Sequence, residues 1–127
     1  MADPETQYAT VTPYLVVGDA DRELVFLKKA FDAVELGCHR NDDGTVMHAE
    51  IRIGDTLVML GQAGGQFAAR PAAFYLWVPD VDATYARALA AGATSESEPA
   101  NKPYGHRNAG VNDANGLTWW IAAPATT

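Results

Sequence analysis

The residues best equipped for chemistry are His48, Glu50 and Arg52, at every second position of Met47-His48-Ala49-Glu50-Ile51-Arg52-Ile53. This alternation marks a half-buried strand, so the three polar side chains share one face and Ala49, Ile51 and Ile53 share the other. The polar set lies toward a cavity or toward solvent. An imidazole beside a carboxylate can move a proton, so His48 and Glu50 are the candidate catalytic pair. An arginine fork at Arg52 can hold an anionic group. The same pattern equally suits a solvated strand face whose ion pairs contribute little. A second set is aromatic: Tyr14, Tyr75, Trp77 and Trp120 each carry a polar handle on a stacking surface. Singly these are ordinary core residues; gathered on one face they line a ligand pocket. His39 and His106 read as loop or surface residues, although Tyr104, His106 and Arg107 could rim a cavity mouth. Cys38 is the single cysteine. It reads as a small hydrophobe, since only His39 stands near enough to lower its pKa.

The elements that must position these residues come as a repeat. Tyr14-Leu15-Val16-Val17-Gly18-Asp19-Ala20-Asp21 returns 61 residues later as Tyr75-Leu76-Trp77-Val78-Pro79-Asp80-Val81-Asp82. That spacing is about half of the 127 residues, so the chain holds two equivalent modules rather than a solenoid. In the first, a strand over 11–17 leads to a helix capped by Asp19 or Asp21 and running to about Phe31, with Leu24, Leu27 and Phe31 inward. Strands follow over 34–40, 45–53 and 56–60, with Asn41-Asp42-Asp43-Gly44 and Gly54-Asp55 as turns. A Gly/Ala-rich connection occupies 62–71. The second module repeats the order. A strand over 72–78 precedes a helix from Asp80 or Asp82 to about Ala91, stopped by Gly92. A short strand over 94–98, a loop over 99–105, and strands over 106–111 and 117–122 complete it. Each module reads βαβββ, and the modules span 11–61 and 72–123 with 62–71 as linker. Residues 1–10 read as a loose leader.

Composition narrows the partners. A formal charge of −7 disfavours nucleic acid and anionic membrane surfaces. No apolar stretch is long enough to span a bilayer. The opening Met-Ala-Asp-Pro-Glu carries neither a basic nor an apolar signal region. With one cysteine and no internal disulfide, the expectation is a cytoplasmic protein.

Two βαβββ modules in about 125 residues resemble the vicinal oxygen chelate superfamily, which includes glyoxalase I, bleomycin and fosfomycin resistance proteins and extradiol dioxygenases. Val-Thr-Pro-Tyr-Leu-Val-Val at 11–17, Met-His-Ala-Glu-Ile-Arg-Ile-Gly-Asp at 47–55, Tyr-Gly-His-Arg at 104–107 and Trp-Trp-Ile-Ala at 119–122 are similar to its PhnB-like branch. Asp113-Ala114-Asn115-Gly116 departs from the Asp-Pro-x-Gly turn common there. The resemblance implies an α+β fold in which the tandem modules form a curved mixed sheet around a cavity, with helices on the convex side. It places Thr12, Tyr14, Val16, Ala73, Tyr75, Trp77, Thr118, Trp120 and Ala122 on the concave face. Leu15, Val17, Leu76, Val78 and Ile121 then pack under the helices. It also implies paired chains, as homodimers.

The superfamily's metal positions map onto Thr12, Ala73 and Trp120, or one residue earlier onto Val11, Ala72 and Trp119. None suits a divalent metal, which needs imidazole, carboxylate or thiolate donors. The expectation is therefore no metal and no cofactor. The leading functional reading is a bleomycin-resistance-like protein that binds or sequesters a partly aromatic or apolar small molecule. Its expected contacts are Tyr14, Tyr75, Trp77, Trp120, Arg52, Tyr104 and Arg107. One alternative is a metal-dependent lyase, isomerase or dioxygenase using unexpected ligands such as His48 and Glu50. Another is a non-binding structural module with a filled interior. The fold does not choose between them.

Overall fold

The structure is a computed structural model and describes residues 8–126. Most of the stretch expected as a loose leader, 1–10, lies outside the described residues. The chain divides into two compact units: residues 8–28 with 32–70, and residues 29–31 with 71–126. In chain order the elements are β1 (Tyr14–Val17), α1 (Ala20–Phe31), β2 (Val34–Arg40), β3 (Val46–Ile53), β4 (Thr56–Gln62), β5 (Ala73–Trp77), α2 (Val81–Ala90), β6 (Thr94–Asn101), β7 (His106–Asn112) and β8 (Thr118–Pro124). This is the α+β tandem of βαβββ modules expected from the repeat.

Both helices start by the same device. Asp19 accepts a hydrogen bond from the Arg22 N–H at 3.0 Å, and Asp80 accepts one from the Ala83 N–H at 3.1 Å. Each satisfies an orphan donor of the first turn. Asp21 and Glu23, and in α2 Asp82, complement the positive end of the helix dipole. The α1 stop is Asp32, left-handed at φ 56°; α2 ends before Gly92, at φ 110°. Leu24, Leu27 and Phe31 are buried, as their spacing predicts.

Each unit carries its own four-stranded mixed sheet, ordered β1-β4-β3-β2 and β5-β8-β7-β6. In both, the first strand pairs in parallel with the last and the remaining ladders are antiparallel. Neither sheet is closed. Leu15, Val17, Ala49, Ile51, Ile53 and Leu60 bury one face of the first sheet, and Ala109, Val111, Trp119 and Ile121 bury one face of the second. The alternation read from β1 and β3 is therefore the alternation of the fold.

Several boundaries differ from the sequence expectation. The first strand begins at Tyr14, not Val11, which is 82% exposed. The fourth extends past Leu60 because Gly61 and Gln62 pair with Val16 and Val17. The expected loop at 99–105 shrinks, because β6 continues through Pro99 to Asn101. Proline is tolerated there because β6 is an edge strand, where a missing N–H leaves no ladder partner unpaired. The ladder also shifts register between Ser97 and Ala100, on either side of that proline.

Candidate functional site

In the first unit, the face opposite the apolar core carries Tyr14 and Val16 from β1 and His48, Glu50 and Arg52 from β3. Above it opens a cavity of about 780 Å³. Tyr14, Val16, Met47, His48 and Gly61 form its floor, the turn residues Asn41, Asp43 and Thr45 one wall, and Gln62, Ala63, Gly64 and Phe67 another. The second wall is fixed locally. Gly64 and Phe67 exchange backbone hydrogen bonds of 2.8 and 2.9 Å, which turns the chain and leaves the Phe67 ring 62% exposed. Gln62 bridges the start of α1, accepting from the Ala20 N–H and donating to the Gly18 carbonyl. Gly61 permits a close approach: a Cβ there would lie 2.8 Å from the Met47 carbonyl oxygen and 3.2 Å from the Tyr14 hydroxyl.

A hydrogen-bond chain runs from the cavity-lining Tyr14 and His48 back to Glu50 and Tyr8. Glu50 is 8% exposed, and the Tyr8 hydroxyl donates to its carboxylate at 2.8 and 2.9 Å. His48 Nε2 stands 3.0 Å from Glu50 Oε2, and His48 Nδ1 stands 3.4 Å from the Tyr14 hydroxyl. The hydrogen bond from His48, reinforced by that from Tyr8, holds the Glu50 carboxyl below its ordinary range against the opposing effect of burial. An ionised carboxylate only accepts, so Nε2 donates to Glu50, and Nδ1 is the ring nitrogen that faces the Tyr14 hydroxyl. At the cavity wall, the side-chain hydroxyl and backbone N–H of Thr45 both donate to Asp43 Oδ1 and hold that carboxyl low. Arg52 shares the strand face of His48 and Glu50 but does not line the cavity.

In the second unit the corresponding face gathers Tyr75, Trp77, Tyr104, His106 and Asn108. The His106 ring lies 4.9 Å from Trp77, 5.4 Å from Tyr104 and 5.8 Å from Tyr75, centre to centre. Its Nδ1 is 2.7 Å from the Tyr75 hydroxyl. Asn108, 2% exposed, donates to the hydroxyls of Tyr104 at 2.8 Å and Tyr75 at 3.2 Å. Tyr75, Trp77 and Tyr104 remain half exposed or more. Trp120 lies over Gly110, where a Cβ would come within 2.6 Å of its ring.

Of the expected ligand contacts, the structure thus places Tyr14 on the first unit's cavity and brings Tyr75, Trp77 and Tyr104 together around His106. Arg107, expected at a cavity rim, points the other way. Strand alternation turns it from His106 and Asn108 toward α2, where its guanidinium pairs with both oxygens of Asp82 at 2.9 and 3.1 Å. His106 is not an isolated surface residue but the centre of three aromatic contacts. Four contributors carried no usable sequence signal: Tyr8, Phe67, Asn108 and Gln62. Phe67 in particular stood in a stretch that read only as linker.

The metal positions the superfamily would imply do not fit a metal. Thr12 offers one weak hydroxyl, Ala73 nothing, and Trp120 only an N–H donor. His48 and Glu50 supply two donors without a third: among the described residues no cluster of three His, Cys, Asp or Glu side chains forms.

Comparison with known proteins agrees with the geometry. An uncharacterized protein of Mycobacterium bovis is 38% identical over 125 aligned residues, covering 90% of this chain and 82% of that protein. Its counterpart in Mycobacterium tuberculosis H37Rv shows the same identity, over 90% and 74% of the two chains. Among solved structures, TioX from Micromonospora sp. ML1 superposes with a TM-score of 0.79 at 27% identity, over 93% of this chain and all of that one. The PhnB protein from Bacillus cereus has a TM-score of 0.72 at 20% identity, covering 91% and 99% of the chains. The fosfomycin resistance protein FosX from Mesorhizobium loti has a TM-score of 0.66 at 19%, covering 92% of each. At these lower identities the likeness is one of fold. The profile of the Glyoxalase/Bleomycin resistance protein/Dioxygenase superfamily matches residues 7–121, and the chain belongs to that superfamily.

Proposed function

We propose that this protein binds and sequesters a small, partly aromatic molecule in the cavity of its first unit, without a metal. The carrying observation is the cavity itself. Its volume of about 780 Å³ falls within the range of ligand pockets. The lining sets Tyr14, Phe67, Met47 and Val16 beside a few fixed polar groups, His48, Gln62, Asn41 and Thr45. Apolar walls supply affinity, and sparse polar groups supply orientation. The exposed rings of Tyr75, Trp77 and Tyr104 give the second unit a stacking surface of its own, and we extend the binding role to them. We take the working form to be a homodimer, as superfamily resemblance implies, with the half-exposed apolar residues Val34 and Val25 available for burial.

The test is calorimetric titration of the purified protein with planar amides, quinolines and phenols, alongside light scattering and elemental analysis. The reading expects saturable binding, at least threefold weaker in Tyr14→Ala and in Phe67→Ala, with no stoichiometric zinc, iron, nickel or manganese. An activity abolished by chelation and restored by a metal would instead establish the metal-dependent enzyme. That alternative draws its support from the two donors His48 and Glu50.

A further inference from the structure

Within the first unit's cavity, His48 presents one ring nitrogen, Nδ1, to a ligand. Glu50 is buried behind it and does not line the cavity, while His48 and Tyr14 both do. The carboxylate commits Nε2 to donating, so the nitrogen left to a ligand is Nδ1, at the edge of the ring facing Tyr14, and it offers a lone pair whenever the ring is neutral. The partner now closest to that lone pair is the Tyr14 hydroxyl at 3.4 Å, longer than a well-formed hydrogen bond. A ring nitrogen with one long contact thus stands beside the half-exposed Tyr14 ring, in a cavity that Phe67 also lines. No lysine or arginine lines the cavity, and the nearest guanidinium along the chain, Arg40, is engaged by Asp21 and the Gly44 carbonyl. The most basic group offered to a ligand is therefore this imidazole nitrogen.

We propose that the cavity selects hydroxy-aromatic ligands, phenols or hydroxylated heteroaromatics, whose O–H donates to His48 Nδ1 while the ring stacks on Tyr14. Glu50 acts as a positioning residue by fixing the tautomer, in the way a buried carboxylate orients an imidazole toward a hydroxyl elsewhere. In the more acidic phenols the proton passes to Nδ1. This leaves a phenolate beside an imidazolium whose Nε2–H still donates to the Glu50 carboxylate. The oxygen keeps both electrons of the broken O–H bond, and the charge stays balanced within the triad. The proposal rests on the cavity-binding reading above and adds the ligand class to it.

The experiment compares 4-cyanophenol with 4-cyanoanisole, the same ring with its O–H methylated, by titration of the intact protein at neutral pH, where the free phenol is mostly un-ionised and an ordinary imidazole mostly neutral. The phenol is expected to bind about tenfold more tightly, as one hydrogen bond to a constrained acceptor allows. His48→Leu should bring the ratio to about one while the anisole still binds. Glu50→Gln should reduce the ratio, because a glutamine amide can also donate to Nε2 and so frees the tautomer. The bound phenol's absorbance should shift toward that of the phenolate in the wild type and not in His48→Leu. Equal affinity for the two probes, or a preference that persists in His48→Leu, overturns the proposal and leaves the cavity reading standing. If neither probe binds, both fall.

Discussion

Glu50 and Gly110 hold the same place in the two sheets. Glu50 pairs across the ladder with Met59, and Met59 with Tyr14; Gly110 pairs with Trp120, and Trp120 with Tyr75. In the first sheet the position carries a buried carboxylate. In the second it is vacated to a backbone hydrogen, and the Trp120 ring lies within 2.6 Å of where a Cβ would stand. The two modules share a backbone and have diverged in what fills this face.

That relation predicts the effect of Gly110→Ala. The new methyl must displace the indole, and overpacking of this kind costs about 1–3 kcal/mol. Urea unfolding should register the loss. Trp120→Ala should remove most of it, so the double mutant is less destabilised than the sum of the singles, as contacting residues require. Additive costs would mean that the glycine serves some other purpose.

The framework of this fold is legible in the sequence because it rests on local rules. Asp19 and Asp80 are short acceptors ahead of helical patterns, and Ala49, Ile51 and Ile53 alternate with polar neighbours; neither signal needs tertiary information. The candidate site is less legible because its contacts are made across the ladder. His106 meets Trp77 only because β5 and β7 flank β8, a register that one residue's identity does not encode. Phe67 becomes a cavity wall through a backbone bridge to Gly64, inside a Gly/Ala-rich stretch that reads as a linker. Arg107 shows the limit of proximity in sequence: one residue from His106, it faces the opposite side.

The pH dependence of stability should carry the mark of Glu50. Its folded-state pKa is depressed below the ordinary 4.5, chiefly by His48 and then Tyr8, so it stabilises the fold above that value. The contribution is lost as pH falls through the lower folded-state value. Glu50→Gln should therefore cost about 1.5–3 kcal/mol at neutral pH, the range for hydrogen bonds to a charged group. The gap between the two proteins should narrow below 4.5. Chemical denaturation at neutral and acid pH checks this; a gap that widens on acidification would refute it.

Asp113 should be the most damaging polar position to empty. It is 6% exposed, and its Oδ1 accepts the backbone N–H groups of Asn115 and Leu117, both at 3.0 Å. Its Oδ2 accepts the indole N–H of buried Trp119 at 2.9 Å. Asp113→Ala removes the shared acceptor of three donors at once, for a total of about 2–4 kcal/mol. The melting temperature should fall by many degrees. Replacing the adjacent Ala114 by a polar residue should leave it nearly unchanged, since no side-chain partner depends on that position.

Arg107→Ala, by contrast, should change little. Its pair with Asp82 is bidentate, but Asp82's side chain is 58% exposed, so solvent and salt screen the attraction. The expected loss is about 0.2–1 kcal/mol, shrinking further in molar salt. Ligand affinity should not move, because the guanidinium faces α2 and not the aromatic cluster. A large loss of binding in this variant would contradict the orientation of β7.

The three tryptophans should report differently on binding. Trp119 is 2% exposed, stacked on Phe74 at 4.6 Å and beside Phe31 at 5.2 Å, so added ligand should leave its emission alone. Trp77 is 55% exposed, in a T-shaped contact with the His106 ring at 4.9 Å, and is available for stacking. If the second unit's face takes part in recognition, titration with a planar ligand should shift Trp77's emission to shorter wavelength as water leaves the indole. Trp77→Phe should abolish the shift and keep most of the affinity, because a phenyl ring still stacks. Trp77→Ala should lose about 0.5–1.5 kcal/mol of it, a few-fold to about tenfold in affinity. A shift that survives Trp77→Phe would assign the signal to Trp120. A ligand that binds with no shift at all would confine recognition to the first unit's cavity, whose lining contains no tryptophan.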